Sequence, residues 1–125
     1  MKKSVYRVSL DLHDTGAQFA LNLKSDDTFR QLLTTLCERG VPYEITEDCA
    51  VKFAAKLPDG RVAVEPCEVS DSAILYDVSE TVSSQSGKTT CEFVLTDDEG
   101  HVLTTPSFIM IISPSIVGGE SDETI

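Results

Sequence analysis

Apolar and polar residues alternate along most of this chain. Tyr6, Val8, Leu10 and Leu12 stand against Val5, Arg7, Ser9 and Asp11. A period of two predicts a strand with one buried face. Phe19, Leu21 and Leu23 alternate with Ala20, Asn22 and Lys24, and Ser25-Asp26-Asp27 then reads as a turn. Leu32, Thr34 and Leu36 form one face of a third strand, with Leu33, Thr35 and Cys37 opposite. Glu38-Arg39-Gly40 ends it, and Pro42 forbids a regular continuation because proline donates no ladder hydrogen bond.

The second half repeats the pattern. Val51, Phe53 and Ala55 share a face within Ala50 to Leu57. Pro58-Asp59-Gly60 is a turn, because Pro presets φ and Gly accepts a positive φ. Arg61 to Glu65 returns as a strand. Val69 and Ala73 to Val78 give two short apolar segments around Ser70-Asp71-Ser72. Lys88 to Thr96 places Cys91, Phe93 and Leu95 on one face, Asp97 to Gly100 turns the chain, and His101 to Thr105 returns. Phe108 to Ile112 is nearly all apolar, the pattern of a strand covered on both faces. Helical periodicity is not sustained: Thr15 to Leu23 could hold a helical turn, and the serine-rich Ser79 to Ser86 a short turn of helix or a loop. About eight or nine short strands with closely spaced turns predict an all-β antiparallel sandwich or barrel. Residues 1–113 make up that domain, and 114–125, with Gly118-Gly119, Glu120, Asp122 and Glu123, have the composition of an acidic, disordered tail.

Composition sharpens this picture. The 125 residues fit one domain. Hydrophobic residues make up 41% and charged residues 25%, which argues against a transmembrane, collagen-like or wholly disordered chain. Ten bases against 21 acids give a net charge of −11, which excludes a basic nucleic-acid-binding face. Residues 1–62 carry nine acids and nine bases, while 63–125 carry twelve acids and one base, Lys88. Three of those acids lie in the tail and three (Asp97, Asp98, Glu99) at one turn. Glu65, Glu68, Asp71, Asp77, Glu80 and Glu92 lie on or between the later strands. This suggests one acidic side and a partner that presents bases. The opening Met1-Lys2-Lys3 is followed by no apolar stretch of signal-peptide length, so synthesis in a cytoplasm is expected.

Candidate chemistry is sparse. Cys37, Cys49, Cys67 and Cys91 contain no CxxC pair, and free thiols are expected. His13 and His101 are the only histidines, with no GxSxG elbow beside a serine. The carboxylates cluster as Asp26-Asp27, Glu47-Asp48 and Asp97-Asp98-Glu99. Neighbours on a strand face opposite ways, so adjacency does not make a catalytic pair. The third cluster lacks the ligand spacing of a calcium loop. No Gly-rich phosphate loop is present, and without tryptophan a sugar platform is disfavoured. No catalytic, cofactor-binding or metal-binding residue is therefore assigned, and no cofactor is expected.

The order of motifs goes further. Ser25-Asp26-Asp27-Thr28, Leu32 to Leu36, Arg39-Gly40-Val41-Pro42-Tyr43-Glu44-Ile45, Val51 to Gly60, Ala73-Ile74-Leu75-Tyr76, Gly87-Lys88, Cys91 to Leu95, Asp98-Glu99-Gly100 and Leu103 to Phe108 follow one another at set spacings. The series, from about Tyr6 to Ile112, resembles the N-terminal domain of phage baseplate upper proteins of siphophages and prophages. The resemblance implies an immunoglobulin-like β-sandwich that is a virion structural part and no enzyme. It implies docking on the tail or baseplate core, with other virion proteins as partners, and self-associating or ring-docked copies. Neither nucleic acid nor membrane is an expected partner. In the family, downstream segments carry receptor-binding proteins; here the sequence ends shortly after the domain, and the docking role is the expectation. Phe53, Phe93 and Phe108 are expected as inward anchors of two facing sheets. A competing class is a bacterial immunoglobulin-like adhesion or carbohydrate-binding module, which would call for a secretion signal and exposed aromatics. A third is a small hydrolase, which lacks a triad.

Overall fold

The computed structural model describes residues 3–14, 19–25 and 29–114. The alternating segments form eleven strands and one helical turn: β1 (Ser4–Asp11), β2 (Ala20–Lys24), β3 (Arg30–Glu38), β4 (Val41–Pro42), β5 (Ala50–Lys56), β6 (Val62–Pro66), β7 (Glu68–Ser70), β8 (Ala73–Asp77), α1 (Glu80–Ser83), β9 (Gly87–Thr96), β10 (Val102–Thr104) and β11 (Phe108–Ser113). One sheet runs β1-β3-β8-β7, with β4 on β3; the other runs β2-β11-β9-β5-β6, with β10 on β9. The protein is an all-β sandwich. The strand number exceeds the expected eight or nine because β4, β7 and β10 are two- or three-residue pieces.

The expected wholly antiparallel pairing needs one correction. β1 pairs β3 in parallel, and β2 pairs β11 in parallel; the other pairings are antiparallel. β2, between β1 and β3 in sequence, belongs to the opposite sheet. A strand that follows an excursion to the facing sheet can return beside its predecessor in the same direction.

The predicted inward rows are the core. Val8, Leu10, Leu32, Leu36, Val51, Phe53, Ala55, Cys91, Phe93, Leu95, Phe108, Met110 and Ile112 are all buried. The placement of the phenylalanines differs from expectation, because Phe53, Phe93 and Phe108 all rise from one sheet. Phe53 lies directly opposite Phe93 in the β5–β9 ladder, their rings 5.6 Å apart and edge-on, and Phe93 is 5.8 Å from Phe108. The facing sheet answers with Tyr76 on β8, stacked on Phe53 at 4.0 Å. β11 is central in its sheet but not equally covered: Ile109 and Ile111 on its outer side are half-buried.

Turn chemistry accounts for the reversals. Between β3 and β4, Arg39 (φ +52°) and Gly40 (φ +81°) form a two-residue loop of the kind that matches strand twist. Asp71 and Ser72 do the same between β7 and β8 without a glycine. Ser79 caps α1, its Oγ accepting from the Val82 N–H at 3.3 Å. The helical turn allowed at Thr15 to Leu23 and the turn at Ser25-Asp26-Asp27 fall partly outside the described residues, as does nearly all of the 114–125 segment.

Candidate functional site

Of the carboxylates that stood out in the sequence, Asp48 and Asp97 are engaged in turns, while Asp26-Asp27 lie outside the described residues. Asp97 accepts from the Glu99 N–H at 2.9 Å and the His101 N–H at 2.8 Å, and its other oxygen lies 2.8 Å from His101 Nδ1. The His101 ring and these N–H groups hold its carboxyl below the ordinary range. Asp97, Glu99 and His101 bring one ligand atom each within 4.8 Å of one another. Their arrangement is that of a hairpin cap, with the carboxylate of Asp97 already taken up by the turn it closes. Thr46 donates to Asp48 in the same local manner.

Asp11 plays the corresponding role at the end of β1. Its carboxylate accepts from the N–H groups of His13, Arg39 and Gly40, at 3.0, 2.9 and 3.2 Å. It therefore pins the β3–β4 loop to β1, and those bonds lower its pKa. Asp59 accepts from the Arg61 N–H at 3.0 Å and pairs with its guanidinium at 2.8 Å, and is lowered likewise.

The histidines and cysteines assemble no nucleophile–base pair among the described contacts. His13 receives a hydrogen bond from Arg39 Nε at 3.3 Å, at an exposed position. The cysteines are free thiols. Burial pushes Cys91 and Cys67 up to about 12, with Glu65 adding to the effect on Cys67. Cys49 is raised too, by burial and then by Asp48. A raised thiol pKa leaves little thiolate, the reactive form, at neutral pH.

One polar constellation had not been singled out from the sequence. Glu65 on β6 reaches across the gap between the sheets. Its carboxylate accepts from the Tyr76 hydroxyl on β8 and from the Ser79 Oγ, the latter at 2.7 Å. Burial, and then the bond to Glu65, raise the Tyr76 pKa, so the hydroxyl stays a donor. Three elements are thus joined: the edge strand of one sheet, the core of the other and the cap of α1. The signal in the sequence was Tyr76 at an inward position, since a buried tyrosine hydroxyl needs a partner. Which residue supplies it depends on which strands face each other.

Beside this network lies a groove of about 550 Å³ between β6 and the β7–β8 hairpin, lined by Glu65, Cys67, Glu68, Leu75, Tyr76 and Asp77 among others. Three of the acids expected on one acidic side meet here. The others do not. Glu92 is on the outer face of β9, opposite Ala54 and between Lys52 and Lys56 of β5. The neutral first half and acidic second half of the sequence are interleaved, since β5 sits between β6 and β9. The acidic-side expectation is thereby narrowed to this flank.

Two mixed sheets over an apolar core, with Asp11, Asp59 and Asp97 engaged in turns and Glu65 bridging the sheets, define a β-sandwich domain. The family of BppU N-terminal domains, the N-terminal domains of baseplate upper proteins, matches residues 6–124, and the chain belongs to that family. It is a structural domain of phage baseplates. Among solved structures, the N-terminal domain of phage TP901-1 ORF48 is similar, with a TM-score of 0.71 and 15% identity, over 88% of this chain and 98% of that one. At that identity the likeness concerns the fold. No curated protein matches the chain by sequence.

Proposed function

We propose that this domain docks through protein–protein contacts onto the tail or baseplate core of a phage or prophage particle. The family match across residues 6–124 carries this reading. Its coarse content is already given by the family: a structural part of the virion, placed in the tail baseplate among other virion proteins. The finer content is ours. Residues 1–113 are the docking unit and 114–125 an acidic segment outside it. The chain is made in the host cytoplasm, sits in the particle in several copies, and binds neither nucleic acid nor membrane. Anchoring of receptor-binding components is a further part of the same reading. The reading includes no catalysis; suppressed thiols and carboxylates engaged in turns support it. The charge of the β6–β7 flank supports a partner that presents bases, whose binding weakens as salt rises.

Mass spectrometry of purified particles tests the proposal. The chain is expected at a stoichiometry that matches the baseplate symmetry. Particles that assemble without it would overturn the docking role.

A further inference from the structure

β6 is the edge of its sheet, and its hydrogen-bonding groups divide cleanly. In the β5–β6 ladder Lys56 faces Val62, Ala54 faces Val64 and Lys52 faces Pro66. In the same register Leu57 N–H bonds Arg61 C=O at 2.8 Å and Cys67 N–H bonds Val51 C=O at 3.0 Å. Bonded and non-bonded pairs alternate along an antiparallel ladder. The odd-numbered residues of β6 therefore bond inward to β5. The N–H and C=O of Val62 and Val64 point away from the sheet, where no described strand follows. The side chains of these residues are also open, with 65% of Val62 and 57% of Val64 exposed. Natural edge strands usually carry a charge or a bulge that discourages pairing. β1, the edge of the other sheet, carries Arg7 mid-strand, and β7 is three residues long with Glu68 on it, whereas β6 has its charge and proline, Glu65 and Pro66, only at its C-terminal end and leaves Val62 to Val64 open.

We propose that β6 pairs antiparallel with β6 of a second copy of this chain, about a two-fold axis through Ala63. This register satisfies both the N–H and the C=O of Val62 and Val64 reciprocally and leaves Pro66, which has no N–H to offer, outside the bonded pairs. Val62 faces Val64 of the second copy in a bonded pair on each side of the axis, giving four main-chain hydrogen bonds, with Ala63 facing Ala63 in a non-bonded pair. Directly opposite residues share a face, so four valines meet on the outer side. On the inner side Arg61 faces Glu65 of the second copy, twice. Arg61 is 77% exposed and pairs with Asp59 at the surface, while Glu65 stands at the acidic groove, where each carboxylate oxygen accepts one hydroxyl, from Tyr76 or Ser79, and keeps a lone pair for a cation. The segment Arg61-Val62-Ala63-Val64-Glu65 is thus self-complementary in hydrogen bonding, apolar surface and charge. A contact of this size is a weak one, suited to copies already held close together in an assembly. The inference deepens the reading that several copies sit together in the baseplate, and rests on it.

Sedimentation equilibrium of the full chain over roughly 10 µM to 1 mM reads the pairing directly. A monomer–dimer equilibrium is expected. Val62→Lys and Val64→Lys each enter a two-fold contact twice and should weaken it by about tenfold or more, with melting temperatures unchanged. Ala63→Cys should give a disulfide-linked dimer under mild oxidation, with peptide mapping placing the bond at position 63 in both copies and the native chain as baseline. A chain monomeric throughout this range, a dimer indifferent to both lysine variants, or cross-links through native cysteines alone would overturn the pairing. Presence in particles reports separately on the docking reading: a chain found in virions yet monomeric in solution would break only the β6 contact.

Discussion

The aromatic centre of the sandwich and its β6–β7 flank are joined by one residue, Tyr76, and are held by different forces. At the centre its ring stacks on Phe53, which touches Phe93, all buried and apolar. At the flank its hydroxyl meets Glu65, which also holds Ser79, beside an open acidic groove. The centre is stabilised by area removed from water and by close packing, which are non-directional but intolerant of voids. The flank depends on donors and acceptors in register, where loss of one partner strands the others. A side chain with an apolar body and a polar tip can serve both regions, which explains a tyrosine where a phenylalanine would fill the core.

Substitutions should separate the two regions, the centre giving the largest effect. Phe93→Ala leaves a void among Phe53, Phe108 and neighbouring side chains, and should cost about 3–5 kcal/mol in chemical denaturation. A melting curve that does not move would contradict the centre as described. Glu65→Ala should cost less, about 1–3 kcal/mol, because it strands the Tyr76 and Ser79 hydroxyls without opening the core. If it costs as much as Phe93→Ala, the flank belongs energetically to the centre. Gly87→Ala probes the backbone that opens β9. Gly87 has φ +125°, and an added Cβ would lie 3.3 Å from two atoms of Pro58. A loss of about 1–2 kcal/mol is expected from the strained φ, readable in the same titration.

The remaining effects follow pH. Asp11, Asp59 and Asp97 have folded-state pKa values below the ordinary 3.8. Folding then binds fewer protons than the unfolded chain in this range. Their contribution is complete above about pH 4 and is lost as pH falls through the folded values. Asp97→Asn should flatten the acid limb of a stability–pH curve. The core sets the opposite limb. Cys67 and Cys91 are raised to about 12 from an ordinary 9.0, so their contribution is whole below pH 9 and is lost as pH climbs toward 12. Stability unchanged between pH 9 and 12 would argue that these thiols are not desolvated.

The inward face of nearly every strand was legible from alternation, because side chains of a half-buried strand must change sides at each residue. Val51, Phe53 and Ala55 are buried as the pattern demanded, and so are Cys91, Phe93 and Leu95. Turns were legible where proline, glycine and aspartate announce them, as at Asp97 to Gly100. The glycine-free reversal at Asp71-Ser72 was also placed, though its two positive φ angles were not foreseeable. Pairing was not legible. Period two says which face a residue takes and nothing about which strand lies beside it, so the parallel β1–β3 and β2–β11 ladders needed the fold.

The sequence by itself determined an all-β chain, its inward rows, its turns and its resemblance to baseplate upper protein N-terminal domains. These rest on local rules that act over a few residues, or on motif order along the chain. The tertiary structure decided the rest: that three phenylalanines share a sheet, that Glu65 and Tyr76 meet, that β5 brings its lysines between the strands that carry Glu65 and Glu92, and that β6 is left at an edge. Each of these depends on contacts between residues distant in the chain, where the alternation of neighbours carries no information.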